Sequence, residues 1–378
     1  MYYEMEGSLH ASSTFNLHIR RKMAGIFLAL ILAAAGPVLC SGQEAPVTYT
    51  SIIAPGAGTK SGQGTVAESI NDSETIVGFY MNTGSWPNGT QVYHGFVRSA
   101  SGGYTTFDVA GAGTKAGQGT EPVSINASGT VAGTYYDSKN VMHGFTRSAA
   151  GAVTTIDVAG AGTGSGQGTE CIAINKAGTV AGIYIDGAGT IHGFIRSAAG
   201  AVTTFDVKGA ATGQGSGTMV SSINDAGVVA GYTEDDFISQ LGYVRSASGS
   251  IITFEASGST SSTGVTSLNA SGTVAGVYNF DQGPTSGFTR ASGGKITPFS
   301  LGVVTEVSSI NNAGSTVGYL LTAKGVIDAF IRTSAGAVTD FVPTGCTDPV
   351  ALHINTAGDV VGYCLIKNQA YQGFLRTP

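Results

Sequence analysis

Three histidine–aspartate pairs are the residues whose spacing could support catalysis. His94, His143 and His192 each precede an aspartate by 14 residues, and these acids are Asp108, Asp157 and Asp206. If the pairs lie on hairpins with a tight turn, each His faces its Asp across two strands. Catalysis by such a pair also requires a nucleophile or a metal beside it. Neither recurs with the pairs, so the spacing predicts a repeated structural contact.

Aspartates in short loops form a second group of residues that could bind a ligand: Asp137, Asp186, Asp235, Asp236 and Asp281. Calcium requires about six to eight oxygen ligands that converge on one point. These acids belong to different repeat units, and no single loop has Asp-x-Asp-x-Asp spacing. We therefore predict solvated loop acids and no cofactor, with binding of calcium or a sugar across the loop face as the alternative.

The single tryptophan, Trp86, lies with Tyr93 in the longest loop, residues 81–93. Exposed aromatic rings are typical of carbohydrate sites, so these two side chains are candidates for a contact patch on the same loop face. Packing of the rings within the loop is the alternative.

Four cysteines are present, and one is at the edge of an N-terminal apolar segment. Cys346 and Cys364 belong to the last repeat unit, one before its first strand and one at the end of its second strand. A disulfide between them is geometrically feasible, and an exported chain would permit it. Cys171 is expected to be a buried small hydrophobic residue.

A unit of about 42 to 55 residues repeats seven times. Each unit has an asparagine after a small or polar residue and an aliphatic one, and a glycine seven residues later. Each also has an arginine two residues past an aromatic residue of a later phrase. The asparagines are Asn71, Asn126, Asn175, Asn224, Asn269, Asn311 and Asn355.

Each unit contains four short segments with β-branched and aromatic residues, separated by turn residues. In the second unit the predicted strands are 123–126, 130–136, 141–147 and 152–158. Four strands per repeat of this length predict an all-β fold, a seven-bladed β-propeller. A β-helix is the alternative.

The two ends of the chain indicate how the propeller closes. The last unit stops after its third strand, at residues 374–376, whereas residues 47–54 resemble a fourth strand. We expect this N-terminal strand to pair with residues 372–375 and complete the last blade, which removes two exposed sheet edges.

The repeated Ser-Ile-Asn and His-Gly-Phe phrases resemble the extracellular HAF-repeat family, named for a His-Ala-Phe signature. The resemblance covers residues 43–378, although Gly replaces Ala in six units and the His is kept in three. It implies an exported bacterial protein and supplies no functional residue.

The first 42 residues have the pattern of a signal peptide. Arg20, Arg21 and Lys22 precede a small and apolar run from Met23 to Leu39. Secretion, extracellular or periplasmic, is therefore predicted, with residues 43–378 forming the propeller and no membrane span in the mature chain. Lipidation at Cys40 and an uncleaved anchor are alternatives.

Composition narrows the classes of function. The chain has 58 glycines among 378 residues, 42% hydrophobic residues and a net charge of −6. A basic stripe is missing, which argues against nucleic-acid binding. The resulting hypothesis is a monomeric, non-catalytic binding or scaffold module for an extracellular glycan or protein. The alternative is a hydrolase or lyase with a site on the central face.

Overall fold

The computed structural model describes residues 47–86, 88–235, 240–256, 262–278 and 284–378. Residues 1–46 lie outside it, so the predicted signal peptide is not described. Within these ranges the regular structure consists of 28 β-strands. No helix of the described ranges is long and apolar enough to cross a membrane.

Strand β1 spans Thr48–Ile52 and precedes seven units, numbered 1 to 7 along the chain. Units 1 and 2 contain β2 Gly64–Ile70, β3 Ile76–Met81, β4 His94–Arg98, β5 Tyr104–Phe107, β6 Gly119–Ile125, β7 Val131–Tyr136, β8 Met142–Arg147 and β9 Val153–Ile156. Units 3 and 4 contain β10 Gly168–Ile174, β11 Val180–Ile185, β12 Ile191–Arg196, β13 Val202–Phe205, β14 Gly217–Ile223, β15 Val229–Glu234, β16 Gly242–Arg245 and β17 Ile251–Phe254. Units 5 and 6 contain β18 Thr263–Leu268, β19 Val274–Tyr278, β20 Ser286–Arg290, β21 Ile296–Phe299, β22 Val304–Ile310, β23 Thr316–Leu321, β24 Ile327–Arg332 and β25 Val338–Phe341. Unit 7 contains β26 Thr347–Ile354, β27 Val360–Leu365 and β28 Tyr371–Thr377.

Consecutive strands of each unit pair in antiparallel order, as in β6–β7–β8–β9. Unit 7 has three strands of its own, and β1 pairs with its last strand, β28. In this pairing Thr50 lies opposite Leu375 and Ile52 lies opposite Gly373. The pairing between the two ends of the chain agrees with the sequence prediction.

A β-bulge interrupts the first strand of every unit, and it explains the glycine that recurs in every second strand. In unit 3 the bulge lies between Cys171 and Ala173. A Cβ atom on Gly182 would lie 2.1 Å from the carbonyl oxygen of Glu170. Because that oxygen belongs to the backbone, a side chain at Gly182 cannot be accommodated without a shift of the strand.

The seven repeated asparagines connect neighbouring units through a ring of hydrogen bonds. Each amide Nδ2 donates to the backbone carbonyl of the asparagine in the next unit, at 3.0–3.3 Å, and Asn355 donates to Asn71. The Oδ1 atom of the same side chain accepts a backbone N–H four residues later, as Asn175 does from Thr179 at 2.9 Å. Each asparagine therefore shapes its own turn and fixes the next unit.

The repeated arginines stack on aromatic rings, as expected for Arg on these strands. Arg147 lies 4.7 Å from the ring centroid of Phe107 in the preceding unit, and Arg332 lies 4.3 Å from that of Phe299. Ile156 occupies the equivalent position in the unit before Arg196, so Arg196 lacks the ring on which Arg147 and Arg332 stack.

A disulfide joins Cys346 and Cys364, with their Cα atoms 5.6 Å apart. The disulfide connects the segment before β26, the first strand of unit 7, to β27. Cys171 is a free thiol and is fully buried. Burial raises the pKa of this thiol well above its ordinary value, so it is protonated and unreactive at neutral pH.

Candidate functional site

A cavity of about 210 Å³ opens at the asparagine ring, where the first strands end. The aliphatic residue before each asparagine and the residue after it also line this cavity. The seven following residues form the rim: Asp72, Ala127, Lys176, Asp225, Ala270, Asn312 and Thr356.

The rim carries an asymmetric set of charges on a repeated backbone. The backbone N–H of Lys176 donates to the Asp225 carboxylate at 2.8 Å, and the Lys176 side chain is exposed. Asp72 accepts hydrogen bonds from the backbone N–H and the hydroxyl of Thr356, at 2.9 and 3.1 Å. The carboxylates of Asp72 and Asp225 and the hydroxyl of Thr356 thus occupy fixed positions at the rim.

His353 also lines the cavity, at a position where the other units have Ser or Ala. Its Nδ1 atom accepts a hydrogen bond from the backbone N–H of Ile70 at 3.5 Å. Burial lowers the pKa of His353 to about 4, so the imidazole is neutral at pH 7. Because Nδ1 is the acceptor, the proton of the neutral ring resides on Nε2.

A second group of polar side chains lies near the opposite ends of the same first strands. Glu121 and Glu170 are the third residues of β6 and β10, and both are buried. Tyr136 donates a hydrogen bond to Glu121 at 3.4 Å. Thr134 lies opposite Glu121 in the β6–β7 register. We call Glu121, Glu170, Thr134, Tyr136 and Tyr232 the Glu–Tyr cluster.

Burial determines the protonation of the Glu–Tyr cluster. It raises the pKa of Glu170 to about 7. Burial, followed by the charges of Glu121 and Glu170, raises the pKa of Tyr136 well above its ordinary value. Burial, followed by the charges of Glu234 and Glu170, does the same for Tyr232. Both tyrosines are therefore neutral near pH 7, where Glu170 titrates.

Trp86 and Tyr93 are only 4% and 2% exposed, so they do not form a surface patch. The Trp86 ring centroid lies 4.6 Å from that of Tyr371 and 5.6 Å from that of Tyr363. The Tyr93 ring lies 6.2 Å from the Tyr136 ring, at the edge of the Glu–Tyr cluster. The long loop of unit 1 thus packs its aromatic rings inward.

The loop acids that the sequence singled out are dispersed. Asp137 accepts backbone N–H bonds from Lys139 and Val141, and Asp186 makes the equivalent bonds in unit 3. Asp235 is half-buried after β15. Asp236 and Asp281 lie outside the described residues. Within the described ranges no group of three His, Cys, Asp or Glu side chains is placed to bind a metal ion.

The three predicted His–Asp contacts are confirmed. The shortest N–O distances are 3.0 Å for His94–Asp108, 2.7 Å for His143–Asp157 and 2.9 Å for His192–Asp206. Each imidazole also stacks on a tyrosine, for example His192 on Tyr184 at 4.7 Å. The second nitrogen of His192 lies 3.4 Å from Asp186. Both nitrogens of that ring face carboxylates, an arrangement that holds the ring in place.

Comparison with solved structures identifies the architecture. The chain is similar to a streptogramin B lyase, with 10% identity, a TM-score of 0.57, and coverage of 87% of this chain and 97% of that chain. The chain has a β-propeller-like fold. Virginiamycin B lyase from Staphylococcus aureus gives 10% identity, a TM-score of 0.56, and coverage of 88% and 100%.

An acylaminoacyl peptidase also resembles this propeller-like chain, with 9% identity, a TM-score of 0.54, and coverage of 82% of this chain and 51% of that chain. No family model and no curated protein matches the sequence. At these identities the likeness shows the fold alone.

Sequence reasoning missed the rim and the Glu–Tyr cluster of this propeller-like fold. The rim had a signal, because the position after each invariant asparagine is the one that varies most within the turn. The sequence signal for the Glu–Tyr cluster was weaker. It is a glutamate at the same position of the first strand in units 2, 3 and 6: Glu121, Glu170 and Glu306.

Proposed function

We propose that this chain is a secreted, non-catalytic binding module that recognises an extracellular glycan through its rim. In this proposal the seven units are blades of one closed propeller, and β1 is the outer strand of the last blade. The pairing of β1 with β28 and the ring of asparagine hydrogen bonds support closure. The resemblance of the repeats to exported HAF-repeat proteins supports secretion.

The observation that carries the proposed function is the contrast between a constant ring and a variable rim. The residue before each asparagine is Ile or Leu, and the residue two positions after it is Ala or Ser. Between them the rim has two Asp, two Ala, one Lys, one Asn and one Thr. A rigid scaffold with a variable exposed position is suited to recognition of an asymmetric ligand.

The chemistry of the rim favours a hydroxyl-rich ligand. The Asp72 and Asp225 carboxylates accept hydrogen bonds, and the Lys176 ammonium group donates them. Their neighbours hold the two carboxylates through backbone N–H groups, so the acceptors are preorganised. A glycan would be held here by hydrogen bonds, because the rim has no aromatic ring on which a sugar could stack.

A glycan array probed with residues 43–378 tests this function. We expect the wild-type chain to bind a defined set of glycans, and the double variant Lys176→Ala/Asp225→Ala to lose that signal at least tenfold. The control Lys208→Ala/Glu255→Ala removes the same charges from exposed positions away from the rim. Retention of the full signal by the rim variant, or no glycan bound by the wild type, would contradict the proposal.

A further inference from the structure

We propose that the Glu–Tyr cluster binds a ligand with protonated aliphatic amino groups, such as a diamine or polyamine. This site is separate from the rim, because the cluster lies near the start of the first strands and the rim lies past their end.

The cluster places negative charge where a ligand cation would be stabilised. Glu170 is only 6% exposed, and burial alone raises its pKa, with no hydrogen bond or opposite charge within the described ranges that lowers it. A buried carboxylate without a partner is costly, and a cation beside it removes most of that cost. Glu121 lies on the preceding unit and interacts with the same tyrosine, Tyr136.

Neutral polar groups around the Glu–Tyr cluster include buried oxygen atoms that lack a hydrogen-bond donor within the described ranges. The buried Thr134 Oγ1, Gln91 Oε1 and Gln240 Oε1 atoms have no hydrogen-bond partner in the described part of the chain. Each of the three residues is 2% exposed. The amide groups of Gln91 and Gln240 already donate, to Tyr93 and to Glu234. The unsatisfied glutamine atoms are thus acceptors, and an ammonium group supplies three N–H donors.

Aromatic rings and apolar side chains favour an organic cation. Tyr136 and Tyr232 are members of one hydrophobic cluster with Ile183 and Met219. Aromatic faces attract cations, and apolar walls suit the methylene groups between two amines.

A bare metal ion fits less well than an extended ligand. No three His, Cys, Asp or Glu side chains converge on one point within the described ranges. A cation with two or more charges on a flexible chain can reach carboxylates on different strands, such as Glu121 on β6 and Glu170 on β10.

Calorimetric titration of residues 43–378 with putrescine, spermidine, 1,4-butanediol and calcium chloride tests the site. We expect heat of binding from the two amines and none from the diol, which has the length of putrescine without its charge. Glu170→Gln is expected to weaken putrescine binding at least tenfold. The control Glu255→Gln changes an exposed glutamate and is expected to leave binding unchanged.

The pH dependence identifies the carboxylate involved. Among the residues that the structure describes, Glu170 raises the pKa values of Tyr136 on β7, Tyr232 on β15 and the neighbouring Cys171. Their pKa values are all raised, so they stay neutral between pH 6 and pH 8, whereas Glu170 loses its proton near pH 7. Putrescine stays protonated throughout, and its affinity should rise about tenfold from pH 6 to pH 8.

Three results would overturn the amine site: no binding of either amine, equal binding of the diol, or unchanged binding by Glu170→Gln. Calcium binding that Glu170→Gln abolishes would also overturn it, in favour of a metal site. Near-ultraviolet circular dichroism checks that the variant is folded, and Glu121→Gln provides a second test of the same charge. Glycan binding at the rim is scored separately, so the two proposals fail independently.

Discussion

At the scale of single residues, position in the unit separates structural side chains from functional ones. The asparagine that recurs seven times forms hydrogen bonds within its own turn and to the next unit. The residue after it varies and faces the cavity. Repetition therefore marks the scaffold, and departure from repetition marks the rim and His353.

Glu170 should make stability depend on pH. Its pKa is about 7 in the folded chain and about 4.5 when unfolded, so the folded state holds the proton more tightly between these values. The unfolding free energy should fall as pH rises from about 4.5 to 7, by up to about 3 kcal/mol, and stay level above. We expect Glu170→Gln to lack this fall in urea titrations at pH 5 and pH 8.

His353 also makes the unfolding free energy depend on pH, with a sign opposite to that of Glu170. Its pKa is lowered to about 4, so its contribution to stability is lost as pH falls from about 6.5 toward 4. Both chains carry His353, so the difference between them isolates Glu170. Equal slopes for the wild type and Glu170→Gln between pH 5 and pH 8 would show that Glu170 is not buried as described.

Residue contacts within one hairpin could be predicted from the sequence, and contacts between units could not. The His143–Asp157 pair follows from the register of β8 and β9, which a tight turn fixes. The approach of Glu170 to Tyr136 and Tyr232 depends on how three units stack. For the same reason, sequence patterns gave no sign that Trp86 packs against Tyr371 of unit 7.

At the scale of the element, the bulge in the first strand connects three features of the repeat. It disrupts the register between the first and second strands, it turns a carbonyl oxygen toward the second strand, and it requires glycine there.

The strands themselves were predictable from their β-branched residues. The first strand was underestimated: 123–126 was predicted in unit 2, and β6 spans Gly119–Ile125. Glycine and proline within it weaken the strand pattern.

Two glycine substitutions distinguish the bulge from an ordinary strand position. Gly182→Ala places a methyl group against the Glu170 carbonyl and should lower the unfolding free energy by about 3 kcal/mol or more. Gly264→Ala, also in a buried strand, has its nearest neighbour 3.5 Å away and should change it by less than about 1 kcal/mol. Urea denaturation measures both. A Gly182→Ala chain as stable as Gly264→Ala would contradict the role of the bulge.

At the scale of the whole molecule, the two ends of the chain meet in one sheet. Neighbouring units are joined by asparagine hydrogen bonds, and the last of these, from Asn355 to Asn71, spans 284 positions in the sequence. Backbone pairing of β1 with β28 brings together residues more than 300 positions apart. The sequence predicted this pairing because residues 47–54 match the strand that unit 7 lacks.

The most direct measurement of closure is a cross-link between the two ends. Thr48 lies opposite Thr377, and their hydroxyl groups share a hydrogen bond. Opposite residues on antiparallel strands have Cα atoms about 4.5–5.5 Å apart, within the range for a disulfide. We expect Thr48→Cys/Thr377→Cys to form one intramolecular disulfide on mild oxidation, detected by mass spectrometry of the unreduced chain. The control Thr48→Cys/Ser248→Cys, with the second cysteine on unit 4, should not form it. Free thiols at positions 48 and 377 in the folded chain, or disulfides only between two molecules, would contradict a ring closed by β1.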